Sequence, residues 1–249
     1  MNIIWRLHRS LGKLIPKSAI KKIRYFLESK YDFLWEKKYF GQFGEDAVLQ
    51  EIFAARAWQE TQKGFYIDVG AYAPKQYSNT YYFYTQGWRG INIDASPGSM
   101  RIFDKVRKGD INIEAAVSDQ EKDVILYSWG TPTVCNTLSK EHAARFSKIF
   151  EKEPEEIKVR TKTLAKILDA NVPTSERIDF LTVDVENHNL EVLASNNWEK
   201  YKPIIVVVEV DEDDIDKILK SRIVAFMKAH DYKLCAWVGP SIFFKQEKA

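Results

Sequence analysis

From Phe43 onward the apolar positions alternate between two periods. Val48, Leu49, Ile52 and Phe53 fall at helical spacing in an alanine-rich stretch, which predicts a helix over Glu45–Arg56. Phe65–Val69 (FYIDV) is a short β-rich run between Gly64 and Gly70 and predicts a buried strand. A helix over Asn79–Gln86, stopped by Gly87, leads to a strand over Gly90–Asp94 (GINID). Next come a helix over Ser99–Arg107 and a third strand over Asp110–Val117 (DINIEAAV). Val124–Trp129 suits an extra strand, and 130–156 is the least patterned stretch, with one helix expected over Lys140–Phe150. Lys158–Thr163 alternates as an edge strand would. Ile178–Val183 (IDFLTV) and Pro203–Val210 (PIIVVVEV), separated by a helix over Asn189–Ser195, are the clearest apolar runs. Continuous runs of this kind belong to parallel sheets covered on both faces. A helix over Asp213–His230 precedes Lys233–Val238 and Ile242–Lys245, a hairpin turning at Gly239-Pro240-Ser241.

Five βα units and a closing hairpin imply an α/β fold: an open, doubly wound sheet, mostly parallel, with a C-terminal antiparallel hairpin near one edge. In such a sheet, ligands bind outside the carboxyl ends of the strands, where the strand order reverses.

The 249 residues suffice for one large domain or two small ones, and 45% hydrophobic content supports a sizeable core. Cys135 and Cys235 stand far apart without CxxC spacing, so reduced thiols are expected and a zinc site is not. No run of eighteen apolar residues predicts a membrane span, and a cytoplasmic location is expected. Charge is unevenly placed. Residues 1–40 carry ten Lys/Arg against three acids, or +7; the remaining 27 basic and 32 acidic residues give 41–249 a net −5. The acidic body argues against nucleic acid as a partner. The N-terminal forty residues form a basic amphipathic extension, with Ile3, Ile4, Trp5, Leu7, Leu11, Leu14 and Ile15 interleaved with Arg6, Arg9, Lys13 and Lys17. Two readings stand: peripheral contact with the inner face of a membrane, or packing on its own domain or in an oligomer.

Acidic residues fall at the strand ends. Asp68 ends the first strand, Asp94 the second, Asp184 and Glu186 follow the fourth, and Glu209 ends the fifth. Buried carboxylates are costly unless paired, so this convergence points to a site rather than to packing. Gly70 permits close backbone approach, and an acid 24 residues later suits the two hydroxyls of a ribose. The loop reads Gly70-Ala71-Tyr72-Ala73-Pro74, not GxGxxG, and no GK[ST] is present. A dinucleotide site and a P-loop are both disfavoured. A nucleoside with a zwitterionic tail, such as S-adenosylmethionine, fits better.

The segments GQFGED, GFYIDVGA, SNTYYF with GWRGINID, AAVSD, IDFLTVDVENHNLEVL and PIIVVVE, in this order, resemble the FkbM family of S-adenosylmethionine-dependent methyltransferases over roughly 41–245. The resemblance implies a class I methyltransferase domain at 41–249 and O-methylation of sugar or polyketide hydroxyls. It places Asp68, Gly70, Ser78 and Asn79 near the methionine portion of the donor, Asp94 on the ribose, and Ala116 and Val117, with Ser118 or Asp119, around adenine. It lets Glu45 and Asp46 close the pocket. The family usually reads D-V-E-G-x-E where this chain has Asp184-Val185-Glu186-Asn187-His188-Asn189, so Asn187 replaces a glycine and Asn189 an acid.

Methyl transfer to a hydroxyl needs a base, and His188, Asp184 and Glu186 are the candidates. Asp184 with Glu186 could instead hold a divalent cation. His8, His142 and His230 lie outside the strand-end set and are expected to be structural or exposed. Tyr72 and Tyr77 suit the lip of the site, and Trp129, Thr131 and Thr133 an acceptor cap. The expected acceptor is a sugar hydroxyl of a cell-surface glycan or related metabolite. An inactive nucleotide-binding scaffold of the same fold is the alternative, and a nicotinamide dehydrogenase is disfavoured by the missing glycines.

Overall fold

Seven strands form one sheet in the computed structural model, which describes residues 16–30, 37–57, 63–131, 133–173 and 177–247. Residues 1–38 and 39–249 are separate units. In the first, helix α1 (Lys17–Lys30) starts directly after Pro16, whose ring is tolerated at a helix start but not inside one. Ile23, Tyr25 and Phe26 of α1 are exposed. The amphipathic pattern over Ile3–Ile15 and His8 lie outside the described residues.

In the second unit, α2 (Glu45–Ala57), β1 (Phe65–Val69), α3 (Tyr81–Thr85), β2 (Arg89–Asp94), α4 (Met100–Val106) and β3 (Ile111–Glu114) come first. Then follow β4 (Ala116–Val117), β5 (Asp123–Ser128), α5 (Lys140–Phe150), β6 (Glu155–Lys162), α6 (Leu164–Asn171) and β7 (Phe180–Val183). The chain closes with α7 (Asn189–Ala194), β8 (Ile205–Glu209), α8 (Ile215–Leu219), α9 (Arg222–Ala229), β9 (Tyr232–Val238) and β10 (Ser241–Gln246). The main sheet runs β3-β2-β1-β7-β8-β10-β9, and β10 alone runs opposite to the other six strands.

Strand alternation divides the core into two layers. On one face Ile67, Val69, Leu181, Val183, Val206 and Val208 pack with α6, α7, α8 and α9; on the other, Tyr66, Phe180, Val207 and Phe243 meet Leu49, Phe53 and Phe83. Burying each such side chain contributes about 1.5–3 kcal/mol.

Five local expectations are revised. The strand expected over Asp110–Val117 breaks where the Ala115 amide turns to donate to the Asp94 carbonyl (2.9 Å), which sends Ala116–Val117 into a second sheet. In that sheet, ordered β4-β6-β5, β6 is central and not an edge. Its alternation reports one solvated face, which says nothing of how many strands flank it. The helix expected from Asn79 starts at Tyr81, because the Ser78 hydroxyl accepts the Tyr81 amide (3.1 Å) and Asn79 turns away to Thr182. The long helix expected over Asp213–His230 is two, since Ser221 leaves the helix to cap α9 through the Val224 amide. Helix α6 was not anticipated, although Leu164, Ile167 and Leu168 carry helical spacing and Thr163 caps it. No described helix is long and apolar enough to cross a membrane.

Candidate active site

The strand order reverses between β1 and β7, and the chain leaves both strands on the same side of the sheet. The two exits nearly touch. The Asp184 amide donates to the Val69 carbonyl (2.9 Å), and the Gly70 amide donates to the Ile93 carbonyl (2.9 Å). Gly70 has φ +87°, and a Cβ there would stand 1.6 Å from the Asp184 carbonyl oxygen, so only glycine lets the loops part around an opening. The cleft that opens has a volume of about 270 Å³.

Gly70, Tyr72, Asn79, Asp94, Ala116 and Val117 line one side of it. Asp94 is held by its surroundings: Oδ2 accepts the Tyr72 amide (3.0 Å) and Oδ1 the Ser96 amide (2.7 Å). The Ser96 and Ser99 hydroxyls also act on this carboxylate, so it is held from several sides at the end of β2. Burial pushes its pKa up while these amides pull it down. Tyr72 and Tyr77 both take left-handed backbone conformations (φ 50° and 57°), unusual for bulky residues, and their rings stack 6.2 Å apart at the mouth.

Other expected donor contacts stand differently. Asp68 and Ser78 are buried and do not line the cleft. Asp68 Oδ2 accepts the Thr80 hydroxyl (2.9 Å), whose oxygen in turn accepts Arg107 Nη2 (3.0 Å). Burial lifts the Asp68 pKa to about 6, against Thr80 and Arg107. Asn79 does face the cleft: Nδ2 donates to Thr182 (3.1 Å), and its buried Oδ1 has no partner. Glu45 also reaches it while accepting the Phe43 amide (2.9 Å) and the Ser241 hydroxyl (3.2 Å).

Asp46 lies behind Glu45, fully buried, accepting the Phe40 and Gly41 amides (2.8 and 3.2 Å). Burial raises its pKa to about 6 from a carboxylate's usual value of about 4. The folded state therefore binds a proton that the unfolded chain has released between those values, and this contribution to stability is lost as pH rises through about 6. The unfolding free energy of the ligand-free protein is expected to fall between pH 4 and pH 7, with a shallower slope in Asp46→Asn; equal slopes in chemical denaturation series would refute the assignment.

The opposite wall is acidic. Asp184, Glu186 and Glu209 each bring one carboxylate oxygen to within 4.8 Å of the others. Burial, then the nearby Glu209, hold the Asp184 carboxyl well above its usual pKa, and burial, then Glu209 and Asp211, raise Glu186 to about 8. Asp184 is exposed to water in the open cleft, while Glu186 and Glu209 are half-buried. Glu186 and Asn187 are both left-handed (φ 51° and 67°), a turn that asparagine tolerates where the related pattern has glycine. Asn189 spans the two acidic ends: Oδ1 accepts the Val185 amide (2.9 Å) and Nδ2 donates to the Glu209 carbonyl (2.9 Å). An acid there could make only the first bond.

His188 does not line the cleft. Nε2 meets the Ser118 hydroxyl (3.0 Å), Nδ1 lies 3.7 Å from Glu191, and burial lowers its pKa. His230 packs on Trp198 and bonds the Phe226 carbonyl.

The model for the methyltransferase FkbM domain matches residues 68–234 of the 249. The chain belongs to the FkbM methyltransferase family. Among curated proteins none matches this FkbM chain. A crystal structure of precorrin-6y C5,15-methyltransferase from Geobacter metallireducens GS-15 is similar at 12% identity and a TM-score of 0.37, covering 78% of this chain and 86% of that one. Class membership makes this FkbM protein a methyltransferase, a class whose donor is in general S-adenosylmethionine.

The FkbM cleft is roofed by the segment that had the weakest sequence pattern. Thr133, Asn136, Thr137 and Phe146 line it. Asn136 Nδ2 donates to the Ser96 hydroxyl (2.9 Å), and the Thr137 hydroxyl donates to the Glu186 carbonyl (2.8 Å), tying the roof to both walls. Trp129 and Thr131 bond instead to Lys152 and Pro97 carbonyls outside it. Two residues escaped the sequence reading. His142, expected to be structural or exposed, is 7% exposed with Nδ1 3.5 Å from Glu186. Arg107 is fully buried behind the donor wall. Neither carries a local sequence signal, since charged and polar residues in a helix (His142) or just after one (Arg107) ordinarily face water.

Proposed function

We propose that this FkbM protein transfers the methyl group of S-adenosylmethionine to a sugar hydroxyl, in a cell-surface glycan or a related metabolite. The observation that carries the reading is Asp94, fixed by two amides at the end of β2 and lining the cleft, beside a single-glycine loop unsuited to a diphosphate. Acceptor chemistry follows from the opposite wall. Three carboxylates with Thr133, Asn136 and Thr137 offer a hydroxyl-rich acceptor many partners. In the transfer, a lone pair of the acceptor oxygen forms the O–CH3 bond, and the S–CH3 pair returns to sulfur, leaving neutral S-adenosylhomocysteine. The hydroxyl proton passes to the ionised carboxylate of Asp184 or Glu186, whose pKa values burial and neighbouring acids raise, making each a stronger base than a free carboxylate.

The test is transfer of tritium from methyl-labelled donor to polysaccharide extracted from cell envelopes. Label is expected in acid-stable O-methyl sugars. In Asp94→Ala, loss of two hydrogen bonds to a charged group is expected to weaken S-adenosylhomocysteine binding about 100-fold. Donor binding without labelling of any glycan fraction would instead favour a non-catalytic scaffold.

A further inference from the structure

Asp184, Glu186 and Glu209 bring three carboxylate oxygens together at one end of the sheet. Elsewhere in the unit, two buried acids meet cations: Asp110 lies 2.9 Å from Arg107, and Asp179 lies 3.1 Å from Arg177. Among the described residues, no lysine or arginine pairs with any of the three. Arg145 acts on Glu186 electrostatically but makes its ion pair with Asp211 (2.7 Å). The positions of the three are not accidental to a loop. Val183 and Val208 are register partners, so Asp184 and Glu209 leave adjacent strands side by side, and Glu186 is turned back toward them by two left-handed residues. Asn189 and Thr137 pin the backbone on both sides of the turn.

A second, separate observation points to a ligand. His142 enters from α5, a different element, and is nine-tenths buried, yet neither ring nitrogen has a hydrogen-bond partner. Nδ1 is aimed at Glu186 Oε2 from 3.5 Å and Nε2 at Asp211 Oδ2 from 3.6 Å, both beyond hydrogen-bond reach. An imidazole so buried, within ion-pair distance of Glu186 and Asp211 but hydrogen-bonded to neither, is suited to a bridging water of a bound ion.

We infer that Asp184, Glu186 and Glu209 bind one hard divalent cation, with His142 orienting Glu186 or a cation-bound water. Oxygens on opposite sides of such an ion, at 2.3–2.6 Å each, stand about 4.6–5.2 Å apart, and neighbouring ones closer, which matches a group spanning at most 4.8 Å. Resting on the methyltransferase reading, the cation would chelate two vicinal hydroxyls of the acceptor and acidify the one that is methylated. Each carboxylate lends one oxygen to the ion, so a second oxygen remains to take the proton.

Mn2+ alone is the probe, titrated into the full chain and followed by loss of the free-ion electron paramagnetic resonance signal, with and without S-adenosylhomocysteine. One saturable site is expected. Glu186→Gln and Glu209→Gln should each weaken it about 10–100-fold, and His142→Gln about tenfold. Donor-product affinity should stay within about threefold in all three variants, which also shows that they fold. Mn2+ should raise the melting temperature of the wild type and not of Glu186→Gln. No saturable binding up to about 1 mM Mn2+, or binding as tight as wild type in both Glu186→Gln and Glu209→Gln, overturns the site. Binding of Mn2+ without binding of the donor product would keep the site and refute the donor reading; the reverse pattern would do the opposite.

Discussion

Gly70→Ala is expected to abolish donor binding while leaving a folded but weakened protein. The new methyl would stand 1.6 Å from the Asp184 carbonyl oxygen and 3.3 Å from Val185, on a backbone at φ +87°. Left-handed backbone alone costs an alanine about 1–2 kcal/mol. The clash cannot be relieved by a side-chain rotation, because the obstacle is backbone at the exit of β7. Either β1 and β7 separate or the loop swings into the cleft. The first breaks the hydrogen bond from the Asp184 amide to Val69; the second occupies the donor's place. A destabilisation of about 2–4 kcal/mol and a loss of S-adenosylhomocysteine affinity of at least about 100-fold are expected. Chemical denaturation and calorimetry measure the two separately, and an unchanged affinity would show that the donor does not approach this turn.

Arg107→Ala should be the most destabilising single change in the unit. The guanidinium is fully buried and spends its donors on Asp110 (2.9 Å), the Pro74 carbonyl (3.1 Å), the Tyr66 hydroxyl (2.6 Å) and Thr80 (3.0 Å). The Tyr66, Tyr81 and Tyr84 rings lie 4.7–5.7 Å from its charge. Removal leaves Asp110 buried without its cation, and breaking one side of a buried pair costs about 3–5 kcal/mol. For a unit of this size that is a melting-temperature drop of roughly 10 °C. Arg107→Lys should rescue little, because an ammonium cannot make the divergent set of bonds a planar fork makes. Since Pro74 and Thr80 bracket the segment carrying Tyr77, which lines the cleft, donor affinity should fall as well. A loss under about 1 kcal/mol would mean that water replaces the guanidinium and the pocket is not sealed.

The parts of this molecule that could be read in advance are those with a one-dimensional signature. FYIDV, GINID, IDFLTV and PIIVVVEV announce buried parallel strands by apolar continuity, and the acids ending them mark the functional edge, because side-chain period and strand direction together fix which end faces the ligand. The Ala115 break and the Ser221 cap were hidden, since each depends on one hydrogen bond whose partner lies in the fold. Arg107 sits among Arg101, Lys105 and Lys108 and reads as one more solvated charge; only three-dimensional closure turns it inward. His188 shows the converse. Its position beside Asp184 and Glu186 in sequence suggested a base, but the helix it precedes rotates the ring to Ser118. His142, forty-four residues before Glu186, arrives there through the irregular roof that no periodicity describes.

The most direct measurement is isothermal calorimetry of the ligand-free chain with S-adenosylhomocysteine. A one-to-one heat that disappears in Asp94→Ala, with the variant still folded by its melting curve, is expected. A silent titration of the folded wild type, or an Asp94→Ala variant that binds as tightly as its parent, would mean that this cleft does not grip the adenosyl donor.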